Sequence, residues 1–482
     1  AIGVLMAVLW MTEALPLPAT SLIPIALFPL AGVATIRAAA APYADPIIFL
    51  FMGGFMLALA MERWGLHRRI ALRIVLIAGT KPRRLVAGFM AATAFLSMWL
   101  SNTATTVMML PIGVSVITLT LARLREAGDP LATNPDGSPR AATGAGSLNF
   151  ATCLMLGIAY AASIGGLATL IGTPPNAMLR GYLDQAFNEQ IAFGTWMLLG
   201  VPLSTVYLVL AWIVLVYLAF PIKVKDIPGG RALIRDELRS LGPITRPEKI
   251  VAAVFALTAT LWIIREPLSK WDWLADLVPP ISRLDDSIIA IGAALLLFAI
   301  PAHKRSRAAI LRWEDAVKLP WGVLLLFGGG LSLAAAVRET GLDRWIGSSI
   351  GGLDGLPQIG LILVTVTLVI FLTELTSNTA TAATFLPILG GVAPAVGMDP
   401  ATLAVPAALA ASCAFMLPVA TPPNAIVFAS GHVHIGQMIR AGVILNLIGI
   451  VLVTLATIYL VPHVINEVGP AAALEAITEQ AP

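Results

Sequence analysis

Apolar stretches follow one another along this chain, separated by short polar interruptions. Runs such as 288–300, 360–372 and 441–461 contain no charged residue. With flanking small residues they approach the roughly 20 residues that cross a bilayer as a helix. The pattern predicts an all-α, polytopic membrane protein. Two interruptions break the apolar runs in a repeated way. Ser101-Asn102-Thr103-Ala104-Thr105 recurs as Ser377-Asn378-Thr379-Ala380-Thr381, and Thr173-Pro174-Pro175-Asn176-Ala177 recurs as Thr421-Pro422-Pro423-Asn424-Ala425, in the same order.

The repeat extends beyond these motifs. At an offset of 276, Phe51, Gly53 and Gly54 match Phe327, Gly329 and Gly330, and Leu110-Pro111-Ile112 matches Leu386-Pro387-Ile388. Gly65-Leu66 matches Gly341-Leu342 and Arg68 matches Arg344 at the same offset. The second motif pair needs an offset of 248, so the first half holds 28 extra residues, and the polar stretch 123–146 supplies them as a solvated loop. A duplicated hydrophobic unit of this kind is a mark of secondary transporters.

Composition agrees. Of 482 residues, 58% are hydrophobic and 12% charged, and mean hydropathy is +0.88; a soluble domain carries about 25% charged residues. The net charge of +3 says nothing of nucleic acid. The two cysteines, Cys153 and Cys413, lie in apolar segments and read as buried free thiols. No HExxH, paired CxxC, P-loop, GxSxG or cleavable signal peptide is present. A membrane-embedded enzyme would need a nucleophile–base or metal constellation, and the apolar segments hold none. A ring-forming channel filter is also missing.

Lys and Arg set an orientation. Segment 62–84 has seven against one acidic residue, 221–250 seven against four, and 303–318 five against two. Segment 265–286 has three against five. The first three are expected inside and the last outside. Helix 46–61 then runs inward, while its repeat partner 321–337 runs outward. The two halves are therefore expected to be inverted, with paired sites converging near the midplane.

Each Ser-Asn-Thr segment sits in an apolar stretch, 85–121 or 357–396, whose flanks look too short for two full spans. Each is expected to be a re-entrant hairpin with Ser-Asn-Thr at its tip, ending one half-helix and capping the next. Such backbone is tolerated at this depth only when it is buried in protein or lines a cavity. Thr173 and Thr421 suit the N-cap, and Pro174 and Pro422 the first helical position. Each Pro pair therefore interrupts a helix and restarts it. A single such tip or kink would read as plain helix packing; two matched sets read as a binding site. Four half-helix N-termini result, with free N–H groups and partial positive charge suited to an anion. The carbonyls freed before each break suit a hard cation such as Na+. No Lys or Arg lies in either hairpin core or Thr-Pro-Pro-Asn loop. A bound polyanion would thus be balanced by dipoles and co-bound Na+ or H+.

At this point the chain resembles a known family, the divalent anion:sodium symporters (INDY-type dicarboxylate transporters). The resemblance spans nearly the whole chain. The stretch 411–427, Ala-Ser-Cys-Ala-Phe-Met-Leu-Pro-Val-Ala-Thr-Pro-Pro-Asn-Ala-Ile-Val, fits the family signature, and both Ser-Asn-Thr tips accompany it. The resemblance implies a homodimer in the cell's inner (plasma) membrane, a scaffold and a transport domain in each protomer, and elevator-type alternating access. It places a first Na+ site at Ser97, Ser101, Asn102 and the Gly172 region, and a second at Thr373, Thr376, Asn378 and the Ala420 region. The repeat register independently pairs Ser97 with Thr373, Asn102 with Asn378 and Gly172 with Ala420, though Leu100 faces Thr376. Substrate carboxylates would lie near Ser101, Asn102, Thr103, Ser377, Asn378, Thr379, Thr421 and Pro422. The family also has a helix before the one that opens this sequence, so an upstream segment is expected.

The domain reading follows. Residues 1–84 and 250–350 are scaffold helices, and 85–195 and 351–435 are transport-domain hairpins and broken helices. Residues 196–220 and 436–482 hold the last helix of each half, and 221–249 is a cytoplasmic linker. The expected activity is import of C4-dicarboxylates (succinate, malate, fumarate) by Na+ symport. Dicarboxylate exchange and Na+-coupled sulfate or tricarboxylate transport are the rivals. Glu374 is the only acidic residue in its hairpin, with Met98 as register partner, and is open to tuning cation binding, carrying a proton or anchoring the tip. Glu13 is expected at a turn, His432 and His434 in a solvated turn, and Gly53-Gly54 and Gly328–Gly330 at close helix contacts. Segments 63–73 and 338–350 look amphipathic, as arms lying along the interface.

Overall fold

The computed structural model describes residues 1–79, 81–133, 148–224, 226, 229–269, 283–303, 308–342, 345 and 357–466. Among them the chain is helical, with the isolated bridge Pro301 to Ala309 and no named strand. The first half opens with α1 (Ile2–Thr12), α2 (Leu17–Thr20), α3 (Ile23–Leu30) and α4 (Ile36–Ala40). Glu13 ends α1 in the left-handed region, φ 50, so it is at the expected turn. Next come α5 (Pro46–Arg63) and α6 (Leu66–Ala78), then α7 (Pro82–Ser97) and α8 (Asn102–Glu126) around the first tip. The first broken helix is α9 (Asn149–Gly166) and α10 (Pro174–Phe187), followed by α11 (Phe193–Ile213).

The second half follows the same order. After α12 (Gly230–Ser240) come α13 (Arg246–Ser269), α14 (Asp286–Ala299), the short α15 (Trp313–Ala316) and α16 (Trp321–Glu339). The second tip separates α17 (Gln358–Thr373) from α18 (Asn378–Ala395). The second broken helix is α19 (Ala401–Ala411) and α20 (Pro422–Ala429), and α21 (Ile435–Tyr459) closes the half. Seven helical stretches among the described residues are long and apolar enough to cross a membrane, so this is a multi-pass membrane protein. The rest of the second interfacial arm, most of the 123–146 loop and the Arg344 match lie outside the described residues.

Lipid is as apolar as the helix faces, so close packing and internal hydrogen bonds carry the association of helices here. Small residues permit it. A Cβ on Gly53 would sit 2.6 Å from the Ala290 carbonyl carbon on α14, and one on Gly329 would meet Ser21. The glycine pairs are packing contacts, as expected. Among the long apolar helices the most enclosed is α9, wedged against α7, α8 and α20, with nearly every side chain buried. Both cysteines are free and buried.

Two expectations change. The return leg of the first hairpin is not short: α8 runs 25 residues to Glu126. No Gly or Pro stops it between Gly113 and Gly128, and its basic last turn, Arg123 and Arg125, extends past the apolar part. His432 is not in a solvated turn either. It is 4% exposed, and both its ring nitrogens lack a partner, because α20 packs between α8 and α9 and draws the following turn inward. His434 is exposed and starts α21, its backbone N–H donating to Gln437 at 2.9 Å.

Candidate substrate and cation site

The four predicted helix starts are all present. Helices begin at Asn102, Pro174, Asn378 and Pro422. The backbone at each cap is nearly the same in both halves: Ser101 at φ −62, ψ 143 and Ser377 at φ −63, ψ 133; Thr173 at φ −146, ψ 142 and Thr421 at φ −142, ψ 148. These are extended conformations that swing the N-cap out of the helix and leave the first N–H groups free. The caps differ in how their side chains are used. Ser101 Oγ accepts from Ala104 N at 3.2 Å and Thr421 Oγ1 from Asn424 N at 3.3 Å. Ser377 makes no such bond, and Thr173 instead lies 3.3 Å from Ser412 Oγ, bridging the two broken helices.

Beside each tip, oxygens gather. In the first half one end of the Asn102 amide lies 2.6 Å from Ser97 Oγ, 3.0 Å from Ala162 O and 3.2 Å from Gly172 O. With nitrogen inward this amide donates to all three. With oxygen inward it completes a four-oxygen nest of neutral hydroxyl, amide and carbonyl groups, the set a hard cation takes. Close approach makes this possible, since a Cβ on Gly166 would lie 2.8 Å from Asn102 Oδ1 and one on Gly172 would lie 2.9 Å from Gly166 Cα. In the second half Thr373 Oγ1 lies 2.8 Å from Asn378 Oδ1 and 2.9 Å from Ala411 O. Ser97 and Thr373 are fully buried. The Thr376 hydroxyl bonds Thr381 Oγ1 at 2.7 Å and Leu372 O at 3.1 Å, so its own partners lie along the hairpin.

The loop before each restarted helix is held by the Asn of its own motif. Asn176 Nδ2 donates to Gly166 O, Leu167 O and Thr169 O at 3.2, 3.3 and 2.8 Å. Asn424 Nδ2 donates to Ala414 O and Leu417 O at 3.3 and 3.0 Å. The repeat register pairs Gly166 with Ala414 and Thr169 with Leu417, so the two loops are pinned at matching points. Pinning exposes backbone groups that a continuous helix would have used.

Both tips and both loops border one cavity of about 950 Å³. Its wall includes Ser101, Asn102, Thr103, Gly172, Thr173 and Pro174 from the first half. From the second it includes Thr376, Ser377, Asn378, Thr379, Ala420, Thr421 and Pro422. Phe51, Phe55, Leu375 and Val419 make its apolar sides, and Glu13, Glu62 and Lys318 its charged part. Every residue expected to touch substrate lines this space. Of the expected cation ligands only Ser97 and Thr373 lie behind its wall, against Asn102 and Asn378.

Sequence reasoning missed the Ala162 and Ala411 carbonyls, Ser412, the cavity walls and Lys318. The carbonyls carry no residue-type signal at all. The pinning role of Asn176 and Asn424 was open to view, because their motif repeats.

Residues 1–464 match the sodium:sulfate symporter transmembrane region. The chain belongs to this divalent anion:sodium symporter family. The sodium-dependent dicarboxylate transporter SdcS of Staphylococcus saprophyticus is 46% identical over 468 residues, covering 97% of this chain and 86% of that one. The protein of the same name from Staphylococcus aureus is 45% identical over the same span. Among solved structures, the Alcanivorax borkumensis YdaH transporter has a TM-score of 0.57 at 15% identity, over 90% of this chain and 87% of that one. Neisseria gonorrhoeae MtrF has a TM-score of 0.56 at 13% identity, over 89% and 83%. At these identities the structural likeness speaks for the fold alone. This family member is a transporter rather than an enzyme.

Proposed function

We propose that the protein imports C4-dicarboxylates such as succinate, malate or fumarate by Na+ symport. The observation that carries this reading is the convergence of four helix N-termini, from matched motifs in the two halves, on one cavity flanked by two oxygen clusters. A dianion with separated carboxylates offers one to each Ser-Asn-Thr tip, where free N–H groups and hydroxyls accept negative charge. Neither tip supplies a basic side chain, so Na+ at the two clusters balances the substrate. Cations bind first and order the tips, and the dianion then closes an almost neutral site. The names of the Staphylococcus relatives favour a dicarboxylate over sulfate.

The halves form inverted repeats, and the hairpins and broken helices move as a transport domain against a scaffold shared in a homodimer. The cavity reaches Glu62 and Lys318, in the basic segments assigned to the cytoplasmic side, so this conformation faces inward.

Succinate uptake into proteoliposomes, with and without an inward Na+ gradient, tests the reading. Uptake that requires external Na+ is the expected result. Uptake that ignores Na+ but needs internal dicarboxylate would make the protein an exchanger. Sulfate or tricarboxylate uptake without succinate uptake would overturn the substrate.

A further inference from the structure

The inner cavity has a counterpart at the far end of α10. This helix starts at the cavity wall with Pro174 and ends at Phe187, near the acidic segment 265–286 assigned to the outside. Midway along it, contacts with the scaffold helices are apolar and close. A Cβ on Gly181 would lie 3.0 Å from Leu331 Cδ2 on α16 and 3.1 Å from Ile47 Cγ2 on α5. Such contacts have no direction and do not fix where one helix stops along another. Two arginines supply the polar contacts. Arg180 is 6% exposed and lies against two carboxylates at the start of α14, its Nη2 3.7 Å from Asp285 Oδ2 and its Nη1 3.4 Å from Asp286 Oδ2. Near the end of α10, Gln185 O accepts from Arg338 Nη1 of α16 at 2.8 Å.

The Arg180 contact can part at little cost to its partner. Asp286 is fully buried, yet it is satisfied without Arg180: its Oδ1 accepts from Arg265 Nε at 2.8 Å and its Oδ2 from Phe193 N at 3.1 Å. Arg180 Nη1 makes no hydrogen bond among the described residues, so charge at ion-pair distance holds it there. When Arg180 withdraws, Asp286 keeps Arg265, which avoids the usual penalty of breaking a buried pair. Asp45, just before α5, is close enough to Asp184, Asp285 and Arg180 to feel all three charges. Deleting the Arg180 charge leaves Asp184 of α10 and Asp45 and Asp285 of the scaffold as like charges across the joint, and they push it apart. We propose that Arg180, seconded by Arg338, is a positioning residue of the transport cycle: it holds the outer end of α10 against α14 and α16 in the inward-facing conformation and must let go before the site can face outward. The strength of this joint then sets the share of molecules open to external substrate. It rests on the transport-domain and inward-facing reading above.

Cys153 and Cys413 are buried, so a cysteine introduced at Leu59, in the wall of the inner cavity, is the one a membrane-impermeant maleimide reaches. Its labelling rate is measured without substrate from the cytoplasmic side, in inverted vesicles. The external succinate KM is measured in right-side-out vesicles. Arg180→Gln is expected to slow labelling about threefold and to lower the external KM by a similar factor, since apparent affinity follows the fraction of molecules in the competent state. Arg180→Lys keeps the charge and is expected to stay within about twofold of wild type in both. Arg338→Ala is expected to move both in the same direction, by less than about twofold. Wild-type labelling in Arg180→Gln, or slow labelling with an unchanged or raised KM, would show a merely structural role and overturn the proposal. Arg180→Lys as slow as Arg180→Gln would overturn it too, because charge would not be what holds the joint. If Arg180→Gln does not fold, Asp285→Asn decides by the same measurements, since Asn still caps α14 and only the charge facing Arg180 is lost. Slower labelling with a lower KM then supports the proposal, and wild-type values overturn it. A Leu59→Cys protein that maleimide does not reach from the cytoplasmic side would instead remove the inward-facing reading before any variant is compared.

Discussion

The two halves use the same motifs to build two loops of different tightness. In the first, residues 167–173 turn so closely on the end of α9 that Gly172 packs against Gly166, and Asn176 reaches three carbonyls. In the second, the loop is longer, Ala420 takes the place of Gly172, Asn424 reaches two carbonyls, and Glu374 gathers the N–H groups. Compactness does in one half what a carboxylate does in the other. Duplication therefore preserved the breaks and caps while each half found its own means of holding them.

Removing the shared element breaks both halves at once. Asn102→Ala or Asn378→Ala is expected to lower succinate uptake about 100-fold, as loss of a buried polar ligand worth about 3 kcal/mol would. Size-exclusion profiles should stay those of the wild type. Full uptake in either variant would remove that half from the site.

Exchanging the unshared residue tests tightness. Gly172→Ala places a methyl against Gly166 and is expected to destabilise the protein by about 1–3 kcal/mol. Ala420→Gly adds only backbone freedom, under about 1 kcal/mol. Thermal melts of the two purified variants should differ in that order, and equal melts would show that the loops are equally tight.

The pinning amides come next. Asn176→Ala leaves three carbonyls without their donor and Asn424→Ala leaves two, each costing about 1–3 kcal/mol. The first should be the larger. A larger effect in the second half would mean that Glu374 does not share the load there.

The smallest effect lies in a loop between the candidate spans, where the halves meet. Glu189, in the loop after α10, is half-buried, and burial together with the charge of Asp399 pushes its carboxyl up to about 7. The folded chain then holds a proton that the unfolded chain has released. Stability from this group is full below the ordinary carboxylate range and is lost as pH rises through about 7. Melting in detergent from about pH 5 to 8 should show a slight fall that Glu189→Gln flattens.

The identity of these breaks was legible before any coordinates. Ser101, Thr173, Ser377 and Thr421 announce helix starts by residue type, Pro pairs fix where two helices must restart, and the repeat says that the four belong together. The pairing of Ser97 with Thr373 and of Asn102 with Asn378 followed from the register, while the grouping of Ser97 with Asn102 and of Thr373 with Asn378 came from the family resemblance. The length of α8 was misjudged because the end of a helix depends on where the chain leaves its neighbours, not only on where apolar residues stop. His432 was misplaced for a similar reason, since burial of a turn belongs to the helices packed around it.

By itself, then, the sequence determined the membrane-bound, all-helical class, the duplication, the four breaks and the polar tips, because each is written in local chemistry that caps or interrupts a helix. Only the tertiary structure decided that the breaks share one cavity, that Ala162 and Ala411 lend their carbonyls, and that Glu374 is held by residues 41 to 72 positions away. Those contacts join backbone atoms, or residues far apart in the chain, and a carbonyl is the same in every residue.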